Sequence, residues 1–277
     1  MNSIKIMVNG LPGNMAQLVI EKAMDDQRFE VTPFSLTGPE IEETSVQIKN
    51  KKIALIKPDQ KDSFLSGHDT LMTSTIAVDY THPSAVDLNC QWYCENNLHF
   101  VIGTTGGNRK RINENVQNSE ICAVVAPNMG KQIVGFQAMI EYAAKTFPGL
   151  FDGYTIEIRE SHQLGKADSS GTARSLVPLF QDLGLSVQEK DIFMERNPKI
   201  QHKQLGVPKS FLGGHAWHTY SLTSKDQNVS FQFTHNVNGR SIYALGTLDA
   251  VQFLHHKILE GNNAGQVYTM IDVLKGL

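Results

Sequence analysis

The feature that most restricts how this chain can fold is its opening run, a short apolar segment that breaks at a glycine turn and resumes as a helix. Ile4 to Val8 is apolar apart from Lys5 and ends at Asn9-Gly10-Leu11-Pro12-Gly13-Asn14. Helical spacing of apolar residues then runs from about Met15 to Met24, closes on Asp25-Asp26, and gives way to a second strand-like run around Phe29 to Ser35. Strand, glycine turn, helix, strand is a βαβ unit, because parallel neighbours can be joined only by a crossover. Such a turn opens a helix whose first N–H groups and dipole favour a phosphate. Gly10 permits the tight turn and Gly13 lets a phosphate approach the backbone. Gly10, Leu11, Pro12, Gly13, Asn14 and Met15 are therefore candidate cofactor contacts. The turn also fits a plain βα junction, since it lacks the full G-x-G-x-x-G.

The alternation continues. Strands are expected at Thr75 to Tyr80, His99 to Ile102 and Ile121 to Ala126, with a helix at about Ser84 to Asn96, the pattern of a doubly wound parallel sheet. Two further turns fall at the carboxyl edge of that sheet, where ligands bind in open α/β folds. Gly103, Thr104 and Thr105 of Gly103-Thr104-Thr105-Gly106 are cofactor candidates, and Ala126, Pro127, Asn128 and Met129 would wall a nicotinamide. An NAD-selective site places an acid at the end of the second strand, but Pro33-Phe34-Ser35-Leu36-Thr37 offers none before Glu40. A small hydroxyl such as Ser35 would accept a 2′-phosphate instead, so NADPH is the preferred donor and NADH a usable one.

Beyond Pro127-Asn128 the character changes. After a helix at about Gly130 to Thr146, Tyr154, Ile156 and Ile158 alternate with Thr155, Glu157 and Arg159, as in a sheet with one wet face. A helix follows at about Gly171 to Leu183, strand-like runs at His218 to Leu222 and Val229 to Thr234 flank a turn, and an amphipathic helix covers about Ile242 to Leu259 before a short last one. The fold class expected is α/β: an N-terminal Rossmann-like, doubly wound parallel sheet in a dinucleotide-binding domain (residues 1–128) and a second, mixed α+β domain for substrate binding and oligomerisation (129–239). The last helices, about 240–277, are expected to return to the first domain.

The densest chemistry lies in Glu160-Ser161-His162-Gln163-Leu164-Gly165-Lys166-Ala167-Asp168-Ser169-Ser170-Gly171-Thr172-Ala173. Ser169, Ser170 and Thr172 suit a helix cap or first turn, and the free N–H groups around Gly171 and Thr172 would receive a carboxylate. Lys166 adds a full positive charge, and His162 is a group that can titrate near neutrality. Together they would bind an anionic substrate and deliver a proton to it. A capped helix preceded by surface polar residues would carry the same letters.

The segment resembles the signature of the dihydrodipicolinate reductase family, in which a Glu-x-His stretch, a Lys and an Asp precede a Ser-Gly-Thr-Ala helix start. The other stretches agree in order: Gly10 to Met15, Val78-Asp79-Tyr80-Thr81-His82-Pro83, Gly103 to Gly106, Ala126-Pro127-Asn128, Asn238-Gly239-Arg240 and Asp272-Val273-Leu274-Lys275-Gly276-Leu277. Gln163 in place of a second His, and a loop one residue shorter than the common bacterial form, resemble the plant-type branch. The resemblance implies NAD(P)H-dependent reduction of 4-hydroxy-tetrahydrodipicolinate to tetrahydrodipicolinate in lysine biosynthesis. It implies His162 and Lys166 as catalytic residues, with Gln163, Ser170, Gly171 and Thr172 at the dicarboxylate substrate. It also implies hinge closure between domains and association through the second sheet, usually as a homotetramer. A different nicotinamide oxidoreductase acting on an amino-acid-like acid, or a non-catalytic NADPH-binding protein on the same fold, remains an alternative.

Composition narrows the classes. The formal charge of -3 and the absence of a Lys/Arg tract argue against a nucleic-acid partner, and Lys49 to Lys52 and Arg109 to Arg111 read as solvated surface. No apolar run approaches the roughly 20 residues that cross a bilayer. The three cysteines, Cys90, Cys94 and Cys122, have no nearby His or Cys pair to complete a zinc site, so no metal is expected and the compartment is read as reducing. With a strand beginning at Ile4, no signal peptide is expected, which points to the cytoplasm, or to the plastid stroma for a trimmed mature form.

Overall fold

β1 (Ile4–Asn9) is buried almost throughout because it has a parallel neighbour on each side, β2 (Phe29–Val31) and β6 (Thr75–Asp79). The computed structural model describes residues 3–68 and 74–276, so the Leu277 of the C-terminal motif lies outside the described residues. β7 (Phe100–Ile102), β8 (Ala123–Val125) and β13 (Val267–Tyr268) extend the sheet, all parallel, in the order β13-β8-β7-β6-β1-β2. The chain leaves β1 in one direction and returns to β6 on the other side. That reversal makes the carboxyl ends of β1 and β6 the switch point of a doubly wound fold. Both faces of the sheet carry helices, so its strands read as continuous apolar runs rather than alternating ones.

The second strand-like run splits in two. Pro33 has no N–H to donate, and past it β3 (Phe34–Leu36) leaves β2 for a second, three-stranded sheet. There it pairs in parallel with β5 (Lys51–Ile56), which pairs antiparallel with β4 (Ser45–Ile48). The hairpin turns at Lys49, whose φ is 50°, and buries Ile53 and Leu55. It was not expected from sequence, because Lys49, Lys51 and Lys52 mask the alternation. Arg109 to Arg111 likewise open a helix, Arg109–Gln117, capped by the Asn108 side chain.

The chain divides into two compact units, Met1–Lys131 with Ser241–Leu277, and Gln132–Arg240. In the first, the helix Ser241–Glu260 buries Ala244, Leu248, Val251 and Leu254. The second is built on a mixed sheet, β10-β9-β11-β12, of β9 (Thr155–His162), β10 (Phe193–Glu195), β11 (His215–Thr223) and β12 (Ser230–Asn238). β10 runs parallel to β9, and the other pairs are antiparallel. The inner face contributes Ile158, Tyr220 and Leu222 to a core with Ala173, Leu176 and Phe180 of the helix Gly171–Asp182. Thr155, Glu157 and Arg159 alternate on the wet face, as their sequence pattern requires.

Candidate active site

In the first unit, the end of β1 is held by a buried polar network. Asn9 Nδ2 donates to the Tyr93 hydroxyl at 2.8 Å, which donates to Asp79 Oδ2 at 2.7 Å. Asp79 Oδ1 accepts from the Thr81 amide and hydroxyl at 2.9 and 2.7 Å, and Asn89 donates to Asp79 Oδ2 at 3.2 Å. Asn9 Oδ1 accepts from the Leu36 amide at 2.8 Å, and the Thr104 hydroxyl donates to the Thr81 carbonyl at 3.0 Å. One fully buried side chain, Asp79, thus ties the end of β1 to the segment after β6 and, through Thr81, to the Gly103 to Gly106 turn.

The first turn is shaped by its own backbone. Gly10 has φ 107°, and a Cβ there would run into the Tyr80 carbonyl. A Cβ on Gly13 would meet the Gly10 carbonyl at 2.7 Å, in the place the Gly13 amide uses to donate to that carbonyl. Gly13 and Asn14 are exposed at the start of the helix Asn14–Met24, which has no acid in its first turn. With the Gly13 amide engaged by the Gly10 carbonyl, it is the exposed helix start at Asn14 that fits a pyrophosphate. Leu11 is buried, so its contribution is packing and backbone.

Ser35 is placed differently from its sequence reading. It is 0% exposed, accepts from the Leu11 amide at 3.4 Å and donates to the Leu36 carbonyl at 3.2 Å, so it supports the turn from beneath. Thr37 does the same, donating to the Leu11 carbonyl at 2.6 Å.

At the other strand ends, Arg109 donates to the Thr104 carbonyl at 2.5 Å, and Thr105 is exposed. Ala126 and Met129 are buried, Pro127 is exposed, and Asn128 Oδ1 accepts from the Gly130 amide at 2.9 Å. Gly246 faces the Met129 carbonyl so closely that a Cβ could not be fitted, so the helix Ser241–Glu260 helps form this edge.

In the second unit, β9 ends in Glu160, Ser161 and His162, all buried. Register sets Glu160 opposite His218, and His218 opposite His235. Glu160 Oε1 meets Arg196 Nη2 at 2.5 Å, and Oε2 accepts from the Ser170 amide at 2.7 Å. Arg196 Nε donates to the Lys166 carbonyl at 2.9 Å, and Gln201 Nε2 donates to the His162 carbonyl at 2.6 Å. Both residues expected to be catalytic therefore have fixed main-chain positions. Ser170 caps the next helix, its side chain accepting from the Thr172 amide at 3.1 Å, and is buried. Gly171 is exposed with open space where a Cβ would stand, and Gln163 and Thr172 are partly exposed.

His162 does not titrate near neutrality. Burial pushes it down to about 4, and the charges of Arg196 and Lys166 add to the shift. His218 is pushed to about 2, again mainly by burial, with repulsion from His235, His162, Arg196 and Lys166. Both imidazoles are neutral at pH 7. Among the described residues, His162 Nε2 and both ring nitrogens of His218 lack hydrogen-bond partners. Ligating atoms of Glu160, His162 and His218 lie within 4.8 Å of one another. Burial keeps these imidazoles neutral, the charges of Arg196 and Lys166 that add to the shift oppose a metal ion, and Glu160 is already engaged by Arg196 and the Ser170 amide. The local field suits an anion.

The structure thus gathers the turn residues, Gly103 to Thr105 and Ala126 to Met129 at strand ends of the first unit. His162, Lys166 and the helix start at Gly171 are gathered in the second. Sequence reading missed Arg196, Gln201 and His218. Arg196 stands in no motif. His218 was legible only as a strand residue, since its partner Glu160 is distant in sequence.

Two family profiles cover the chain: dihydrodipicolinate reductase, N-terminus, over residues 4–129, and dihydrodipicolinate reductase, C-terminus, over residues 133–274. The probable 4-hydroxy-tetrahydrodipicolinate reductase 1, chloroplastic, of Oryza sativa subsp. japonica is 44% identical over 99% of this chain and 79% of its own length. The chloroplastic 4-hydroxy-tetrahydrodipicolinate reductase 1 of Arabidopsis thaliana is 45% identical over 99% and 78%. Among solved structures, a dipicolinate-bound dihydrodipicolinate reductase from Paenisporosarcina sp. TG-14 superposes with a TM-score of 0.68, at 17% identity and 98% coverage of both chains. At that identity the likeness speaks for the fold.

Proposed function

The chain belongs to the dihydrodipicolinate reductase family, and on that premise we propose that it reduces 4-hydroxy-tetrahydrodipicolinate to tetrahydrodipicolinate with NAD(P)H, on the diaminopimelate route to lysine. The ring takes up a hydride and a proton and its hydroxyl leaves as water. A bound reduced nicotinamide supplies the hydride. The exposed helix start at Gly13 and Asn14, and the edges at Gly103 to Thr105 and Ala126 to Met129, are the residues assigned to hold it. Ser35 and Thr37 support that turn from below. The preference for NADPH therefore rests on the acid missing from Phe34 to Thr37, since those two hydroxyls face the protein.

The observation that carries the reading is the placement of Lys166, a full positive charge, on a fastened loop between neutral His162 and the open helix start at Gly171. Lys166 donates the proton and offsets the charge of the substrate carboxylates. His162, neutral at working pH, holds the ring by hydrogen bonding rather than as an imidazolium. The Gly171 amide, beside the Thr172 hydroxyl, receives a carboxylate at the positive end of the helix, where open space at Gly171 admits it, while the Thr172 amide is held by the Ser170 cap. Gln163 contributes an uncharged hydrogen bond. Ser170 caps that helix start, its hydroxyl accepting the Thr172 amide.

Association through the sheet of the second unit, as a homotetramer, is supported by exposed Phe193 and Met194 on its β10 edge. Sedimentation would measure it. A reducing aqueous compartment, the cytoplasm or a plastid stroma, is supported by three free cysteines, and fractionation separates the two. A substrate panel tests the activity: turnover of enzymatically generated 4-hydroxy-tetrahydrodipicolinate far above other amino-acid-like acids is expected. Equal turnover of the others would replace this reading with a broader oxidoreductase.

A further inference from the structure

The segment from Gln163 to Ser169 is mostly exposed, with Leu164, Gly165, Ala167 and Asp168 open to solvent. Apolar burial does little to hold such a segment, so its polar bonds decide its shape. Its internal bond is the Lys166 amide donating to the Gln163 carbonyl at 3.0 Å. The other fastenings converge on one ion pair, between partly buried Arg196 and buried Glu160. Arg196 donates from Nε to the Lys166 carbonyl at 2.9 Å and from Nη2 to the Asp168 carbonyl at 3.3 Å. Its Nη2 also meets Glu160 Oε1 at 2.5 Å, while Nη1 donates to the Glu195 carbonyl at 3.1 Å. Glu160 completes the arrangement by accepting the Ser170 amide at 2.7 Å, the residue that caps the helix Gly171–Asp182.

We propose that Arg196 and Glu160 are positioning residues for the reduction, a clamp that sets Lys166 at a fixed place relative to His162 and to the helix start that receives a substrate carboxylate. The inference rests on the reading of Lys166 as proton donor. Its physical basis is the planar guanidinium fork. One group reaches two loop carbonyls and a carboxylate at once, which a lysine ammonium on a flexible stem cannot match. The carboxylate reaches the other end of the same loop through a single amide. Carbonyl 166 belongs to the lysine itself, so a loosened clamp moves the root of the side chain that delivers the proton. A displacement of about 1 Å at a reacting group is enough to cost about a hundredfold in rate.

The test compares Arg196→Ala and Arg196→Lys with the unaltered protein, with Arg196→Lys keeping a cation beside Glu160 should the alanine variant fold poorly. Three readouts are taken on full-length protein: kcat and KM for the dicarboxylate and for NADPH, amide hydrogen exchange along the chain, and recovery of kcat on adding guanidinium. The clamp predicts faster exchange over residues 163–170 with β11 unchanged. It predicts a fall in kcat of about thirtyfold or more with the NADPH KM held within about twofold, and partial recovery of Arg196→Ala by guanidinium. Arg196→Lys should recover less than half of the lost kcat. Unaltered kcat in both variants overturns the proposal even if exchange rises, because the pair would then be structural only. Unaltered exchange over 163–170 overturns it as well. The control separates this from the underlying reading: no reductase turnover by the unaltered protein defeats the assigned activity, whereas normal turnover with undiminished variants defeats the clamp alone.

Discussion

The Thr37 hydroxyl donates to the Leu11 carbonyl at 2.6 Å, so the end of β3 is fastened to the glycine turn at the end of β1. Both residues are buried, and loss of the donor leaves a carbonyl without its partner. Thr37→Val should lower stability by about 1–3 kcal/mol. If the turn is a cofactor platform, the KM for NADPH should rise several-fold while the substrate KM holds. An unchanged NADPH KM beside a lowered Tm would mean the bond serves folding alone. In the unaltered protein, kcat/KM should favour NADPH, and a preference for NADH beyond about tenfold, or about 1.4 kcal/mol, would contradict the argument from the missing acid.

Gly13→Ala should damage cofactor binding out of proportion to its size. The added Cβ would stand 2.7 Å from the Gly10 carbonyl, so the turn itself must shift before any phosphate arrives. Isothermal titration with NADPH should show at least about a tenfold weaker Kd in a protein that still folds. Normal affinity would place the cofactor elsewhere.

The first βα unit was legible because a glycine turn and an apolar period occur side by side in a few residues, and the Glu160 to Ala173 segment because its chemistry is contiguous. The β4–β5 hairpin was not, because its three lysines hide the alternation of Ile53 and Leu55. Ser35 was seen as a free hydroxyl, since sequence does not reveal that the chain breaks at Pro33 and turns that hydroxyl inward. His162 was read with its solution character, because its burial depends on β11 and on Arg196, both far along the chain. Arg196 itself belongs to no pattern. Its role arises only when β10 pairs with β9 and brings it to Glu160.

Ser170 caps a helix, and its side chain is buried. Ser170→Ala should lower stability by about 1 kcal/mol, which thermal unfolding would register. Its effect on substrate KM should be smaller than that of Thr172→Val. The opposite order would make Ser170 a direct substrate contact.

Acid should destabilise the second unit. His162 and His218 are held at about 4 and about 2, below the roughly 6.5 of the unfolded chain, so the folded state binds fewer protons. The stability tied to both is complete above about pH 6.5 and declines as the pH falls, toward pH 4 for the first and pH 2 for the second. By pH 5 each should account for a loss of about 2 kcal/mol. A Tm series from neutral to pH 5 should be visibly shallower in His218→Gln than in the unaltered protein. Equal slopes would show that His218 is not buried neutral. For the same reason the kcat profile should carry no ionisation of His162 near pH 6.5.

The most direct test is Lys166→Ala, assayed for NADPH oxidation with enzymatically generated 4-hydroxy-tetrahydrodipicolinate and, separately, for NADPH affinity. Loss of a charge-assisted hydrogen bond of about 1.5–3 kcal/mol corresponds to about a ten- to hundredfold fall in kcat/KM, and more if the same group gives the proton. The account predicts that fall, poor rescue by Lys166→Arg, and a cofactor Kd within about twofold of normal. Full activity in Lys166→Ala would contradict the central claim that Lys166 carries the proton transfer.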